Sequence, residues 1–121
     1  MLLYFLMSNI SFDYSKANIL VTGGTSGIGK AIAESYLAAG AFVTITGTKS
    51  SLQEYPDILG KFSYIQLNLE DKKSIDNVGN SIKKLDILIN NGGLAFPGGK
   101  SEDDPDIFDR AVYIHLNSFY R

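Results

Sequence analysis

The sequence predicts an α/β fold: a doubly wound parallel sheet with strand order 3-2-1-4 and helices on both faces. Three observations predict it. Apolar, β-branched runs alternate with stretches of helical apolar spacing, in the order β-α-β-α-β-α-β-α. The runs are apolar almost throughout rather than alternating, as expected of strands covered on both faces. A glycine-rich octet, Thr22-Gly23-Gly24-Thr25-Ser26-Gly27-Ile28-Gly29, joins the first run to the first helix. Right-handed crossovers then leave few topologies, and the reversal of strand order falls between strands one and four.

The elements follow in order. Asn18 to Thr22 reads as a buried strand. Ile28, Ile32, Tyr36 and Ala39 fall at helical spacing and predict one apolar stripe, which Gly40 ends where a left-handed residue is wanted. Ala41 to Thr46 is a second strand, rich in β-branched residues. Gly47 to Ser51 is a turn, and Leu52 to Leu59 is at most a short helix, broken by Pro56. Phe62 to Leu69 is a third strand. Asp71 can cap a helix in which Ile75, Val78 and Ile82 share a face. Leu85 to Asn90 is a fourth strand, and a long loop runs from Asn91 to Asp104. Asp104-Pro105 reads as a cap followed by a first-turn proline. Phe108, Ala111, Val112, His115 and Phe119 are expected to share the inward face of that last helix.

Size and composition narrow the function classes. The 121 residues fit one small domain, which is short for a complete doubly wound fold with its active site. A net charge of −2 and the absence of any basic, aromatic-interleaved run argue against a nucleic-acid surface. There is no cysteine and one histidine, His115, so neither thiolate chemistry nor a zinc site is expected. The apolar start, Met1 to Met7, is too short to span a bilayer and lacks the marks of a signal peptide. Residues 1–17 are therefore read as a tail, with Met7 as an alternative start, and a cytoplasmic location with no membrane partner is the default.

The octet carries the chemistry. Glycines let a strand-to-helix turn come close to a phosphate, and the helix start aims N–H groups and the positive end of its dipole at that charge. The plain alternative is an ordinary glycine-rich turn, since short motifs match by accident. Against that alternative, the octet, Gly47-Thr48, Asn68-Leu69 and Asn90 to Gly93 all lie at the carboxyl ends of strands, where such sheets bind ligands.

The spacing Thr22-Gly23-x-x-x-Gly27-x-Gly29 resembles the short-chain dehydrogenase/reductase family. Asn90-Asn91-Gly92-Gly93 resembles the family's Asn-Asn-Ala-Gly stretch, with Gly92 in place of alanine. Asn68-Leu69 stands where relatives often have Asp-Val, and Phe108-Asp109 with Ile114-His115-Leu116 resembles the family's next helix. The likeness runs from Asn18 onward and points to its 3-oxoacyl-acyl-carrier-protein-reductase-like members. It implies a Rossmann-type sheet and an NAD(P)-dependent oxidoreductase acting on a small-molecule carbonyl or secondary alcohol, homo-oligomeric when complete.

The resemblance also implies residue roles. Gly23, Gly27 and Gly29 shape the turn, and Ile28 lies beside the pyrophosphate. Gly24, Thr25 and Ser26 line the adenosine phosphate and ribose, Asn68 and Leu69 hold the adenine, and Asn91, Gly92 and Gly93 face the nicotinamide-side ribose. Asn90 is expected to tie neighbouring strands together. No acid ends strand two; Thr48 can donate to a 2′-phosphate and Lys49 can supply charge, so NADP is favoured over NAD. Two facts weigh the other way: Lys49 reads equally well as a solvated turn residue, and Ser26 sits where many NADP-using relatives carry a base. His115 occupies the family's asparagine position, where a water relays protons; it reads either as a catalytic substitute or as a core histidine.

One part of the family pattern is missing. None of the seven tyrosines is followed four residues later by lysine, so the Tyr-x-x-x-Lys pair that relatives use as acid catalyst is absent. The expectation is an incomplete domain over 18–121, truncated on the carboxyl side and inactive alone. A non-catalytic dinucleotide-binding module is the main alternative. A nucleotide-sugar epimerase fits the octet and the Asn-Asn-Gly-Gly stretch less well.

Overall fold

Four parallel strands form one sheet in the order β3-β2-β1-β4, as the sequence predicts. The computed structural model describes residues 11–93 and 104–121. The tail from Met1 to Ile10 and the segment 94–103, with Pro97, Gly98 and Gly99, lie outside the described residues. The central strand β1 (Asn18–Val21) pairs with β2 (Phe42–Gly47) and β4 (Ile87–Ile89), and β3 (Ser63–Gln66) pairs with β2.

The strands are shorter than their apolar runs, because the runs continue as paired backbone past the regular ladder. Thr22 N–H donates to Ile89 O at 3.0 Å and Leu67 N–H to Gly47 O at 2.8 Å, so the strand tips stay bound where the chain turns into loops. At the opposite end the Asp86 carboxylate accepts from Asn18 N–H at 2.7 Å and from its side-chain amide at 3.1 Å.

Apolar residues are packed on both faces of the sheet, and β1 is apolar from Ile19 to Val21. Ile19, Val21, Val43 and Ile45 pack with Ala33 of α1 (Gly27–Ala38). Leu20 and Leu67 pack on the other face with Val78 of α2 (Lys72–Ser81), flanked by Ile75 and Ile82. The α2 face and its cap are as predicted: the Asp71 carboxylate accepts from Lys73 N–H at 3.0 Å.

Two helix faces are offset from the sequence prediction. In α1 the buried residues are Gly29 and Ala33, while Ile28 is 75% exposed. Small side chains let the helix backbone sit close to the sheet. Ile28, Ile32, Tyr36 and Ala39 line a hollow along α1 together with Phe12 and Tyr14, and of these Ile32 and Tyr36 also pack against the core. Gly40 ends the helix at φ +90°, as expected.

The last helix begins as predicted. Asp104 caps α3 (Pro105–Val112), its carboxylate accepting from Asp106 and Ile107 N–H. The helix then continues through a π-helical segment, Tyr113–Asn117, into a final turn, Ser118–Tyr120. Its buried residues are Ile114 and Ser118, with Ile107 and Ala111 half-buried on the same line. Phe108, Val112 and His115 are exposed. The two stripes have the same spacing and differ by one residue, so aromatic content points to the wrong one. Arg110 pairs with Glu70 at 2.8 Å and Arg121 with Asp76 at 2.9 Å, which ties this helix to α2 and the turn before it.

Candidate functional site

A cavity of about 280 Å³ opens where the carboxyl ends of the strands meet. It is lined by Gly23, Thr25 and Ser26 after β1, Thr46 to Thr48 at the end of β2, Leu67 to Leu69 after β3, and Asn91 to Gly93 after β4. No charged side chain is among them. The switch point between β1 and β4 is where an open α/β sheet takes its ligand.

The turn that forms its floor is held from two sides. On one side, Gly23 N–H donates to Thr46 Oγ1 and Gly24 N–H to Thr46 O, both at 3.1 Å. On the other, Thr22 Oγ1 accepts from Asn91 N–H at 3.0 Å and Gly92 N–H at 2.9 Å, and donates to Ile89 O at 3.3 Å. The Asn91 side-chain amide donates to the carbonyls of Thr22 and Gly23, each at 3.2 Å. Asn91 therefore makes the tie between strands that the sequence reading gives to Asn90, and Asn90 is exposed.

The glycines divide by what they do. Gly27 takes φ +53°, and a Cβ built there meets nothing within 4 Å, so the turn is left-handed beside open space. Gly29 is required by contact instead: a Cβ would collide with the Asn91 amide and the Gly23 carbonyl. Gly24 does not line the cavity, because it is buried and a Cβ there would lie 2.6 Å from Ile45 Cγ2. Ser26 is the N-cap of α1, makes no side-chain cap bond, and no acid lies in the first turn. The amides of that turn suit an anion.

The remaining candidates scatter. Thr48, Asn68 and Leu69 line the cavity as expected, but Asn68 Oδ1 is engaged by Glu70 N–H at 3.0 Å. Ile28 points to the hollow along α1 rather than the cavity. Lys49 is exposed but not free in solvent: its ammonium donates to Glu54 O at 2.8 Å and sits 4.8 Å from the centre of the Tyr55 ring. His115 is exposed, so it is not a core histidine, and its ring lies against the α-carbon of Gly93, where any Cβ would strike the imidazole.

Thr22, Thr46, Leu67 and Tyr55 are additional residues of the site. Thr46 is almost wholly buried, which a strand-end threonine two places after another threonine does not announce. The Tyr55 hydroxyl accepts from Lys49 N–H at 3.0 Å, and a Cβ on Gly47 would lie 2.5 Å from it. Burial pushes the Tyr55 phenol up, but hydrogen bonding, chiefly from the Lys49 amide, outweighs it and holds it below the usual phenol range. Tyr64, whose hydroxyl donates to Lys49 O at 2.6 Å, is held well above that range by burial and then by Tyr55. No signal in the sequence joins residue 55 to the octet.

Comparison with known proteins agrees with this geometry. The family model described as short chain dehydrogenase matches residues 17–121. A 3-oxoacyl-acyl-carrier-protein reductase of Salmonella typhimurium is 34% identical over 108 residues, covering 84% of this chain and 44% of that protein. A short chain dehydrogenase/reductase of Gibberella zeae is 33% identical over 108 residues, covering 82% of this chain and 40% of its own. A solved short chain dehydrogenase/reductase family protein superposes with a TM-score of 0.77 at 31% identity, over 90% of this chain and 47% of that one. The chain thus spans less than half the length of these relatives. Among the described residues no helix is long and apolar enough to cross a membrane, and no cluster of acids and histidines could hold a metal ion. With its sheet order, its glycine turn and the match over residues 17–121, the chain belongs to the short chain dehydrogenase family.

Proposed function

We propose that this chain is the dinucleotide-binding part of an NAD(P)-dependent oxidoreductase acting on a carbonyl or secondary alcohol, with NADP preferred over NAD. The observation that carries it is the cavity: uncharged residues from four strand ends converge there, glycines or hydroxyls from three of them, and no carboxylate stands at the end of β2. A carboxylate there would repel a 2′-phosphate. The residues fit such a cofactor: the Ser26–Gly29 amides suit the pyrophosphate, Thr25 and Thr48 the adenosine ribose, Asn68 and Leu69 the adenine, and Asn91 to Gly93 the nicotinamide side. When bound, the nicotinamide would supply or accept the hydride.

The protein's own groups orient and exclude. Thr22 and Asn91 fix the turn against β4, so the Gly92-Gly93 backbone forms one wall. His115, against Gly93, is the group placed to hold or pass a proton at that wall. The chain holds no Tyr-x-x-x-Lys, so this part alone is expected to bind cofactor without turning over substrate. That absence equally favours the second reading, a non-catalytic dinucleotide-binding module. A cytoplasmic location, a small-molecule substrate and homo-oligomeric assembly belong to the same proposal.

The test is calorimetric titration of the chain with NADP⁺ and NAD⁺. Tighter NADP⁺ binding is expected; tighter NAD⁺ binding would overturn the preference, and binding of neither would overturn the function. Carbonyl reduction driven by NADPH with this chain alone would refute its expected inactivity.

A further inference from the structure

We infer that Tyr55 is a positioning residue that sets how the cavity responds to the substituent at the adenosine 2′-position. This rests on the dinucleotide reading above, and it adds a residue from outside the octet and outside the end of β2.

Four observations converge. The Tyr55 hydroxyl lies behind the Gly47 backbone, at the tip of β2, and accepts the Lys49 N–H at 3.0 Å. Thr25 and Thr48 both line the cavity, and a Cβ on Gly47 would lie 2.7 Å from the Thr25 methyl as well as against the Tyr55 hydroxyl. The same ring carries the Lys49 ammonium on its face, 4.8 Å from the centroid. Tyr64 donates to the Lys49 carbonyl at 2.6 Å and lies edge-near Tyr55, with ring centroids 5.9 Å apart. Thus one side chain holds Lys49 by both its amide and its ammonium, next to the cavity-lining Thr48.

The local charge pattern is consistent. Glu54 is the neighbouring acid, and its carboxylate is occupied by Ser50 Oγ at 2.6 Å and Ser51 N–H at 3.0 Å. Lys49 donates to the Glu54 carbonyl rather than to that carboxylate, which fixes its ammonium beside the Tyr55 ring. A dianion at the 2′-position gains from a cation held at a fixed place; a hydroxyl there gains little. Tyr55 therefore acts on the NADP term and scarcely on the NAD term.

The experiment measures NADP⁺ and NAD⁺ affinity for the full chain and for Tyr55→Phe, Lys49→Gln and the double variant, with melting curves to verify folding. Phenylalanine keeps the ring and removes the oxygen. Tyr55→Phe is expected to lower the NADP⁺/NAD⁺ affinity ratio about 5-fold or more, with NAD⁺ affinity changed less than about 2-fold, as befits the loss of a neutral hydrogen bond that orders a charged contact. The double variant is expected to lose less than the product of the single losses, because Tyr55 acts through Lys49. Equal loss for both nucleotides, or no loss for either, overturns the Tyr55 inference while leaving the dinucleotide reading intact. Failure of the unmodified chain to bind either nucleotide overturns both.

Discussion

Replacing Thr22 with valine removes one oxygen and keeps the shape. That oxygen accepts from Asn91 N–H and Gly92 N–H at 3.0 and 2.9 Å. Thr22 is 6% exposed and Gly92 is buried, so water cannot readily replace the lost acceptor. A buried donor left unpaired costs roughly 1–3 kcal/mol. Asn91 N–H keeps a second acceptor, Ile89 O at 3.1 Å, so Gly92 N–H is the donor left unpaired, and the variant is expected to lose about 1–3 kcal/mol. For a chain of this size that corresponds to a drop in melting temperature on the order of 10 °C. Thr22→Ser is the control: it keeps the oxygen and removes a buried methyl, for about 1 kcal/mol. The chain has no tryptophan, so urea unfolding is best followed by far-ultraviolet circular dichroism with tyrosine emission as a second probe. A valine variant within about 0.5 kcal/mol of the parent would refute the reasoning, as would a serine variant that loses as much as valine.

Two further outcomes are expected. Gly29→Ala should destabilise by about 3 kcal/mol or more, because its Cβ meets the Asn91 amide and the Gly23 backbone, whereas Gly92→Ala should cost about 1 kcal/mol or less, its Cβ lying 3.2 Å from the flexible Leu69 Cδ1 and from Thr22 Oγ1. Denaturant unfolding of both variants checks the contrast, and equal losses would count against the close approach of turn and helix. Asp86 is held below the usual carboxylate range first by the Asn18 backbone N–H and then by its side-chain amide. A lowered folded-state pKa gives stability that is present above the unfolded value and lost as pH falls through the folded one. Stability should therefore decline below about pH 4, and less steeply in Asp86→Asn. Parallel acid profiles for the two proteins would show that this carboxylate contributes nothing.

The sheet was legible because its signals are local and repeated. Apolar runs, a glycine turn and caps at Asp71 and Asp104 each stand in a few consecutive residues, and the topology follows from their order. Helix facing was less legible. The stripe Ile28–Ile32–Tyr36 has the better hydrophobic residues, and Ile32 and Tyr36 do reach the core, yet Gly29 and Ala33 are buried deepest because closeness there matters more than side-chain area. Within the site, the glycines and Asn91 were singled out by the octet, the Asn-Asn-Gly-Gly stretch and the family resemblance they carry, but their contacts join residues about 70 apart, such as Asn91 to Thr22. Tyr55 was invisible for the same reason: it reaches the end of β2 through a 3-10 turn, Leu52–Glu54, that composition presents only as a broken helix.

The shortest strand has the widest reach. β4 forms one margin of the sheet, pairing with β1 alone among the described strands, and its last residue, Ile89, receives both the amide and the hydroxyl of Thr22. The knot that gathers the glycine turn is thus fastened to a border. Any polypeptide that zips along that border would pull on the same fastening, so lateral growth of the sheet and the set of the turn would be mechanically one event.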